Sequence, residues 1–528
     1  MGCNSCGADN PPGAIYCGSC GGQLGTAAPN GAKPEDRISS GPGFSAPLGE
    51  HAVASNPGKQ ASDATRYLCA AVHLDSRIAD QVVSDILEQE YKAPPSSPDV
   101  DLVPVVLHAV SARRRHLIRD AILTLLLIAC LWFLVSLHTV EFWTTLLLMW
   151  VVVFGETLVA TYGVVAHDLR AGQFRADKLP LPNNPKSRKR LEQIAAFGRA
   201  NVTVYSSFVP FVGRGTPIEA WSFALDLHRT GGGRADQPFT AVDVHDFVLA
   251  RMRELPLAKL EIADRVYVDG RDIRGDRRFL LSEFSVPRSQ VDPSLLRSLT
   301  LDAEDRARPY LCFQASGWRG QLVVSTFLRF VVTGNELFLE VSHSLLTPVR
   351  DEFQEVDRLL PQPTLRQATR IGWRSLFRLP MLVLRAPFAV TRFLVSPMST
   401  ALRVARQRRE IMSGLRFDYG APVSPRETAS DPRYQRYFQK LDQELYTKVI
   451  VKRLLHTLVE FFESKGLDTS ELVDRQTTIE NHGVYVAGSG TLVADSVAAG
   501  AGAEAKSRTA SAANRAMQRV SSLSAKGE

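Results

Sequence analysis

The familiar catalytic signatures are missing from this sequence. No HExxH, GxSxG turn, kinase set or complete dinucleotide fingerprint occurs along its 528 residues, which removes the best-marked zincin, hydrolase, kinase and Rossmann chemistries. Lysine is scarce: 13 of the 62 basic residues are Lys and the rest Arg, a bias associated with GC-rich bacterial genomes. Beyond residue 20 the only cysteines are Cys69, Cys130 and Cys312, scattered thiols that read as small buried hydrophobes. No apolar run follows Met1, so no secretory leader is expected. Cys6 stands where a myristoylation signal needs Ser or Thr. A hydrophobic share of 45% against 22% charged residues excludes both a wholly disordered chain and a fully membrane-embedded one, and the length allows about two to four modules.

Charge is concentrated in one place. Residues 361 to 410 hold ten arginines and one acid, a net of +9, whereas the whole chain carries +7, so everything else sums to −2. The basic balance is therefore one cationic surface, which argues against a generally basic nucleic-acid binder.

Four cysteines, Cys3, Cys6, Cys17 and Cys20, form C-x2-C-x10-C-x2-C, with Gly7 and Gly21 directly after each second thiol. Glycine there lets the backbone turn and aim N–H groups at sulfur, and two such knuckles supply four thiolates in a tetrahedron suited to a structural Zn2+. A module this small folds only with metal, which must contribute roughly 10 kcal/mol. Residues 1–24 resemble the short zinc ribbons that open many prokaryotic membrane proteins. With four protein ligands no position stays open for catalysis, so the resemblance implies an interaction or sensing module, and reduced thiolates imply a cytosolic location. Residues 25–65, rich in Gly, Pro, Ser and Ala, read as a flexible tether.

Residues 117–137 and 142–166 are two apolar stretches separated by a short break, each long enough to cross about 30 Å of hydrocarbon as a helix. Arg113, Arg114 and Arg115 precede the first and Arg119 lies near its start; Arg170, Arg175, Lys178 and Lys186 to Arg190 follow the second. Positive charge on both outer flanks predicts a two-pass hairpin in a cell membrane with both chain ends cytoplasmic. Glu156 is the one acid inside the second span, read either as a gating or oligomerisation group or as a packing contact with Thr157 or Thr161.

Residues 66–116 read as a juxtamembrane α/β segment, with a strand at 68–74. Residues 190–362 read as a cytoplasmic α+β domain around an antiparallel sheet, with strands at 201–207, 221–228, 260–268, 310–315, 321–332 and 336–342, and helices at 242–255 and 350–360. The loop Phe211-Val212-Gly213-Arg214-Gly215 has the glycines of a phosphate loop but not its Lys-Ser/Thr ending. His228, His245 and His343 have no acid or cysteine in motif spacing and read as core or surface histidines. In layout, with the stretches 201–215 and 318–340, the body is similar to uncharacterised actinobacterial membrane proteins; that resemblance implies no activity.

Residues 363–412 combine arginines at helical spacing, Arg378, Arg385 and Arg392 among them, with a dense apolar face. That pattern predicts an amphipathic segment on anionic lipid headgroups, broken into short pieces by Pro380, Pro387 and Pro397. Residues 430–466 predict a long amphipathic helix that docks on the body or on a second copy of the chain. Residues 476–502 alternate short β-prone stretches with glycine and loosely resemble the signalling tails of bacterial conflict proteins; 503–528 read as disordered.

Together these features imply a non-enzymatic scaffold or sensing module at the inner membrane face, with an unidentified protein partner. Two other classes stay open. A deep pocket with convergent polar side chains within 195–350 would favour an enzyme or effector. Steeply salt-dependent oligonucleotide binding would favour a membrane-tethered nucleic-acid binder, which the missing aromatic interleaving disfavours. The purified chain is expected to carry about one zinc, measured by elemental analysis, and Cys3→Ser with Cys17→Ser should abolish it.

Overall fold

The computed structural model describes residues 62–473, apart from 228–237 and single positions 258, 335, 361, 415, 422, 435 and 471. Cys3, Cys6, Cys17 and Cys20, most of the tether, His228, the 476–502 motif and the 503–528 tail lie outside the described residues.

The tether expected to reach residue 65 gives way at Ser62, whose hydroxyl caps the first helix by accepting from the Thr65 N–H at 3.2 Å. That helix, α1 (Asp63–Leu74), replaces the strand expected at 68–74. The run Leu68-Cys69-Ala70-Ala71-Val72 is apolar without a period, and a helix buried on nearly every side presents the same pattern as a buried strand. The juxtamembrane segment thus consists of helices and a connecting loop at 88–101, with no strand. Asp75 caps α2 (Ser76–Val82), which continues as a π-helical turn to Leu87. Asp101 caps α3 (Leu102–Val135), and α4 (Thr139–Leu158) returns through a second π-helical turn into the short α5 (Ala166–Asp168). The helix α6 (Pro185–Phe197) then leads into the sheet.

All six expected strands form: β1 (Val202–Tyr205), β2 (Thr216–Asp226), β3 (Leu260–Asp269), β4 (Ala307–Gly317), β5 (Leu322–Thr333) and β6 (Glu336–Leu346). Between them lie α7 (Ala241–Arg253), which carries a Thr240/Asp243 capping box, and α8 (Pro293–Leu301). After β6 come α9 (Asp351–Gln354), α10 (Leu365–Met412), α11 (Pro425–Thr428) and α12 (Tyr437–Lys465). Sheet order is β1-β3-β4-β5-β6-β2. The expectation of an antiparallel sheet holds for every pair except β1 and β3, which run parallel, so the sheet is mixed. An edge strand of four residues carries no mark of its pairing direction.

One sheet face, with Leu311, Phe313, Leu328, Phe330, Leu339 and Val341, packs under α7 and the second half of α12, through Val244, Val248, Leu454, Leu458 and Phe462. The body therefore does not end at residue 362; α12 supplies part of its core. The first half of α12 leaves Tyr437, Phe438, Leu441 and Leu445 exposed. A second, helical core joins α1, α2 and the first ten residues of α3 to Leu191, Ile194, Phe353 and Val356.

Three helices, α3, α10 and α4 with its extension to Asp168, are long and apolar enough to cross a membrane, one more than the two spans expected. The three meet in one apolar cluster containing Leu123, Cys130, Met149, Val153 and Ala386. The broken segment expected at 363–412 is instead one 48-residue helix that runs through all three prolines. Each proline removes one N–H and bends the backbone locally, but the turns between them and a Thr364/Gln367 capping box sustain the helix.

The glycine loop before β2 does hold an anion, and that anion belongs to the chain. The N–H groups of Gly213 and Gly215 donate to Glu427 Oε1 at 2.8 and 3.0 Å, and the Ser424 N–H donates to its Oε2. This ties the loop to α11. Both glycines have φ of +86°, and a Cβ on Gly213 would lie 1.6 Å from the Ser96 carbonyl oxygen. Gly213→Ala should destabilise the fold by more than about 2 kcal/mol, read as a lowered unfolding midpoint.

Candidate functional site

A cavity of about 480 Å3 opens between α7, α8 and the sheet, a volume in the range that holds small ligands. Its apolar side comes from Leu311, Leu328 and Phe330 on the strands, Val242 and Leu249 on α7, and Leu296 on α8. Its polar side is a chain of charges. His245 Nε2 lies 2.7 Å from Asp264 Oδ1 on β3, His245 Nδ1 lies 3.1 Å from Asp246 Oδ1, and Arg297 Nη2 of α8 donates to Asp246 Oδ2 at 2.7 Å.

Burial alone would lower the pKa of His245, but the hydrogen bond and charge of Asp264, then of Asp246, outweigh it and the net shift is upward. With both ring nitrogens bonded to carboxylates, the imidazole has no lone pair to offer a substrate and works as a cationic clamp between α7 and β3. His245 had been set aside as a lone histidine. Asp264 lies 19 residues away on another element, and no sequence spacing marks the pair.

His343 is a core histidine, as expected: fully buried, Nδ1 2.9 Å from Thr326 Oγ1, its pKa pushed down to about 4 by desolvation. The buried Arg214 places its guanidinium on the Gln314 side-chain oxygen. Fully buried Arg426 has its pKa lowered to about 9 by desolvation and donates to the carbonyls of Gln321 and Thr347.

A second polar constellation sits at the foot of the hairpin. Glu156 of α4 accepts from Arg115 Nε at 3.0 Å and Arg119 Nη1 at 3.4 Å, with His116 Nδ1 3.2 Å away. Its partners are thus on α3, not Thr157 or Thr161; the Thr157 hydroxyl donates to the Val153 carbonyl. Arg115 continues to His73, with Nη1 3.3 Å from Nδ1, and His73 Nε2 lies 2.9 Å from His108 Nδ1. Arg115 and Arg119, at i and i+4 on one face of α3, and His116 beside them therefore converge on one carboxylate.

Arg378, Arg385 and Arg392 are exposed on α10. Near the end of that helix Arg403 lies 3.6 Å from Glu88, and Arg408 stacks over Phe284 at 5.6 Å. Among the described residues no cluster of three or more His, Cys, Asp or Glu is arranged to hold a metal.

A mixed sheet covered by α7, α8 and α12, joined to an apolar helical unit, defines a membrane-associated α+β domain protein. The chain belongs to the AbeC-like domain family, whose model matches residues 220–494. The match starts within β2 and takes in the His245 cavity, α10 and α12, whereas α3 and α4 precede it. No curated protein and no solved structure matches the chain.

His245→Gln should cost about 1–3 kcal/mol of stability. Because the folded pKa is raised, the clamp contributes fully below the ordinary value of 6.5 and is lost as pH rises through the higher folded value. The stability gap between variant and wild type, followed by denaturant titration across pH, should therefore narrow toward alkaline pH.

Proposed function

We propose that the protein is an integral membrane docking platform, in which the AbeC-like domain is held at the cytosolic face and offered to a protein partner. The observation that carries this reading is the continuity of α3. Its first ten residues belong to the core of the body, and Leu123 and Cys130 of the same helix belong to the apolar cluster of the hairpin. A helix shared by two cores leaves no free linker between anchor and body. The arginines flanking α3 and α4 favour a cytosolic body, and the cysteine spacing of residues 1–24 favours a zinc-bound contact module in the same compartment.

A docking role is favoured over catalysis because the imidazole of the cavity, His245, spends both ring nitrogens within the fold. The cavity favours a second reading, an effector domain that binds a small, mostly apolar molecule. Alkaline carbonate should leave the wild-type protein in the membrane pellet. External protease on intact cells should spare both chain ends, and cleavage at either end would refute the topology. Glu156→Leu leaves Arg115 and Arg119 facing an apolar group. It should cost about 3–5 kcal/mol and sharply reduce the level of folded protein, measured by size-exclusion chromatography in detergent.

A further inference from the structure

Helix α10 buries one face within the fold and leaves the opposite side open. Gly372, Ser375, Leu379, Leu382, Val383 and Ala386 recur at three- and four-residue spacing and lie buried or half-buried. This face meets the hairpin: the Trp150 indole N–H donates to the Gly372 carbonyl at 3.1 Å, and Leu379, Leu382, Val383 and Ala386 join the cluster with Leu123 and Met149. A Cβ on residue 372 would stand 3.3 Å from the Trp150 ring, so glycine lets that ring lie close against α10.

The open side carries a row of arginines. Arg366, Arg370, Arg374, Arg378, Arg385 and Arg392 follow one another at spacings of four and seven, are exposed, and span 26 residues, about 39 Å of helix. None of the six has an acidic partner among the described residues, whereas Arg403 and Arg406 farther along do. Large apolar residues stand among and beside them on the same open side: Trp373, Phe377, Met381, Leu384 and Phe388 are 55–75% exposed.

Both ends of α10 return to the body. Leu359, six residues before the helix, packs on the helical core, and Ile411 at its end is fully buried beside Phe417 and Tyr419. A helix tied at both ends to one side of the bilayer lies along that side rather than crossing it. The level is set by Trp150 and Phe154, which line Gly372 only about one to two turns from Glu156.

We propose that α10 is embedded in the cytosolic leaflet, where its exposed apolar side chains enter the acyl region and its six unpaired arginines bind the phosphates of anionic phospholipids. The inference rests on the membrane reading above and adds the lipid class. An open side that mixes large apolar residues with an arginine row suits a headgroup boundary and is a poor match for a nucleic-acid backbone, which offers no apolar surface there. Since α10 falls inside residues 220–494, the family domain carries its own lipid contact, separate from the hairpin.

The test uses the full chain, purified in detergent after reconstitution with phosphatidylglycerol and phosphatidylcholine, with retained lipid counted by native mass spectrometry. Wild type should retain phosphatidylglycerol preferentially. The triple variant Arg378→Gln, Arg385→Gln, Arg392→Gln should lose about tenfold or more of that preference, while the triple Arg→Lys variant should keep most of it and so exclude simple misfolding. Equal retention by wild type and the Gln variant overturns the proposal. So does displacement of the lipid by inorganic phosphate as readily as by phosphatidylglycerol, which would point to a free-phosphate site, or loss of oligonucleotide binding in place of lipid binding. Carbonate extraction separates the two readings. If wild type leaves the membrane, the anchor itself fails; if it stays but shows no lipid preference, only the assignment of α10 fails.

Discussion

A carboxylate within an apolar helix is tolerable only when its charge is answered, and Glu156 is answered entirely by α3. That requirement fixes how the two hairpin helices align. Sliding α4 along α3 by one turn would take the acid out of reach of Arg115 and Arg119, leaving Arg119 with Asp120 alone. The same Arg115 reaches His73 of α1, and His73 touches His108 at the foot of α3. One buried anion thus sets the register of the membrane unit and joins it to the helical core beneath.

The sheet stands on other supports. Its α7 face is closed by α12, a helix from the far end of the family-matching segment, and its first long strand is entered through a loop whose two glycines grip Glu427. Near the end of the AbeC-like segment α12 therefore closes on strands near its beginning, and the long helix α10 lies between them in the chain.

The strands were legible because β-branched and aromatic residues cluster between glycine-marked turns, and the hairpin because charge is absent for long enough. Other features had no local trace. The parallel pairing of β1 with β3 depends on where a four-residue strand lands, not on what it contains. The Leu68–Val72 run is uniformly apolar, so its periodicity could not separate helix from strand. The prolines of α10 were read as breaks because a proline is costly in an isolated helix; packing on two neighbours offsets that cost here. His245 and Asp264 become partners only once the sheet brings α7 above β3. The zinc ligands remain a reading of spacing alone, since those residues lie outside the described structure.

Between Val105 and Val135, α3 contains neither glycine nor proline, and no helix break interrupts it. It is a stiff lever about 46 Å long, seated at one end in the body and at the other in the apolar cluster with α4 and α10. On the membrane reading proposed above, thinning or stretching of the surrounding lipid would tilt such a rod, and without a hinge the tilt would swing the body with it.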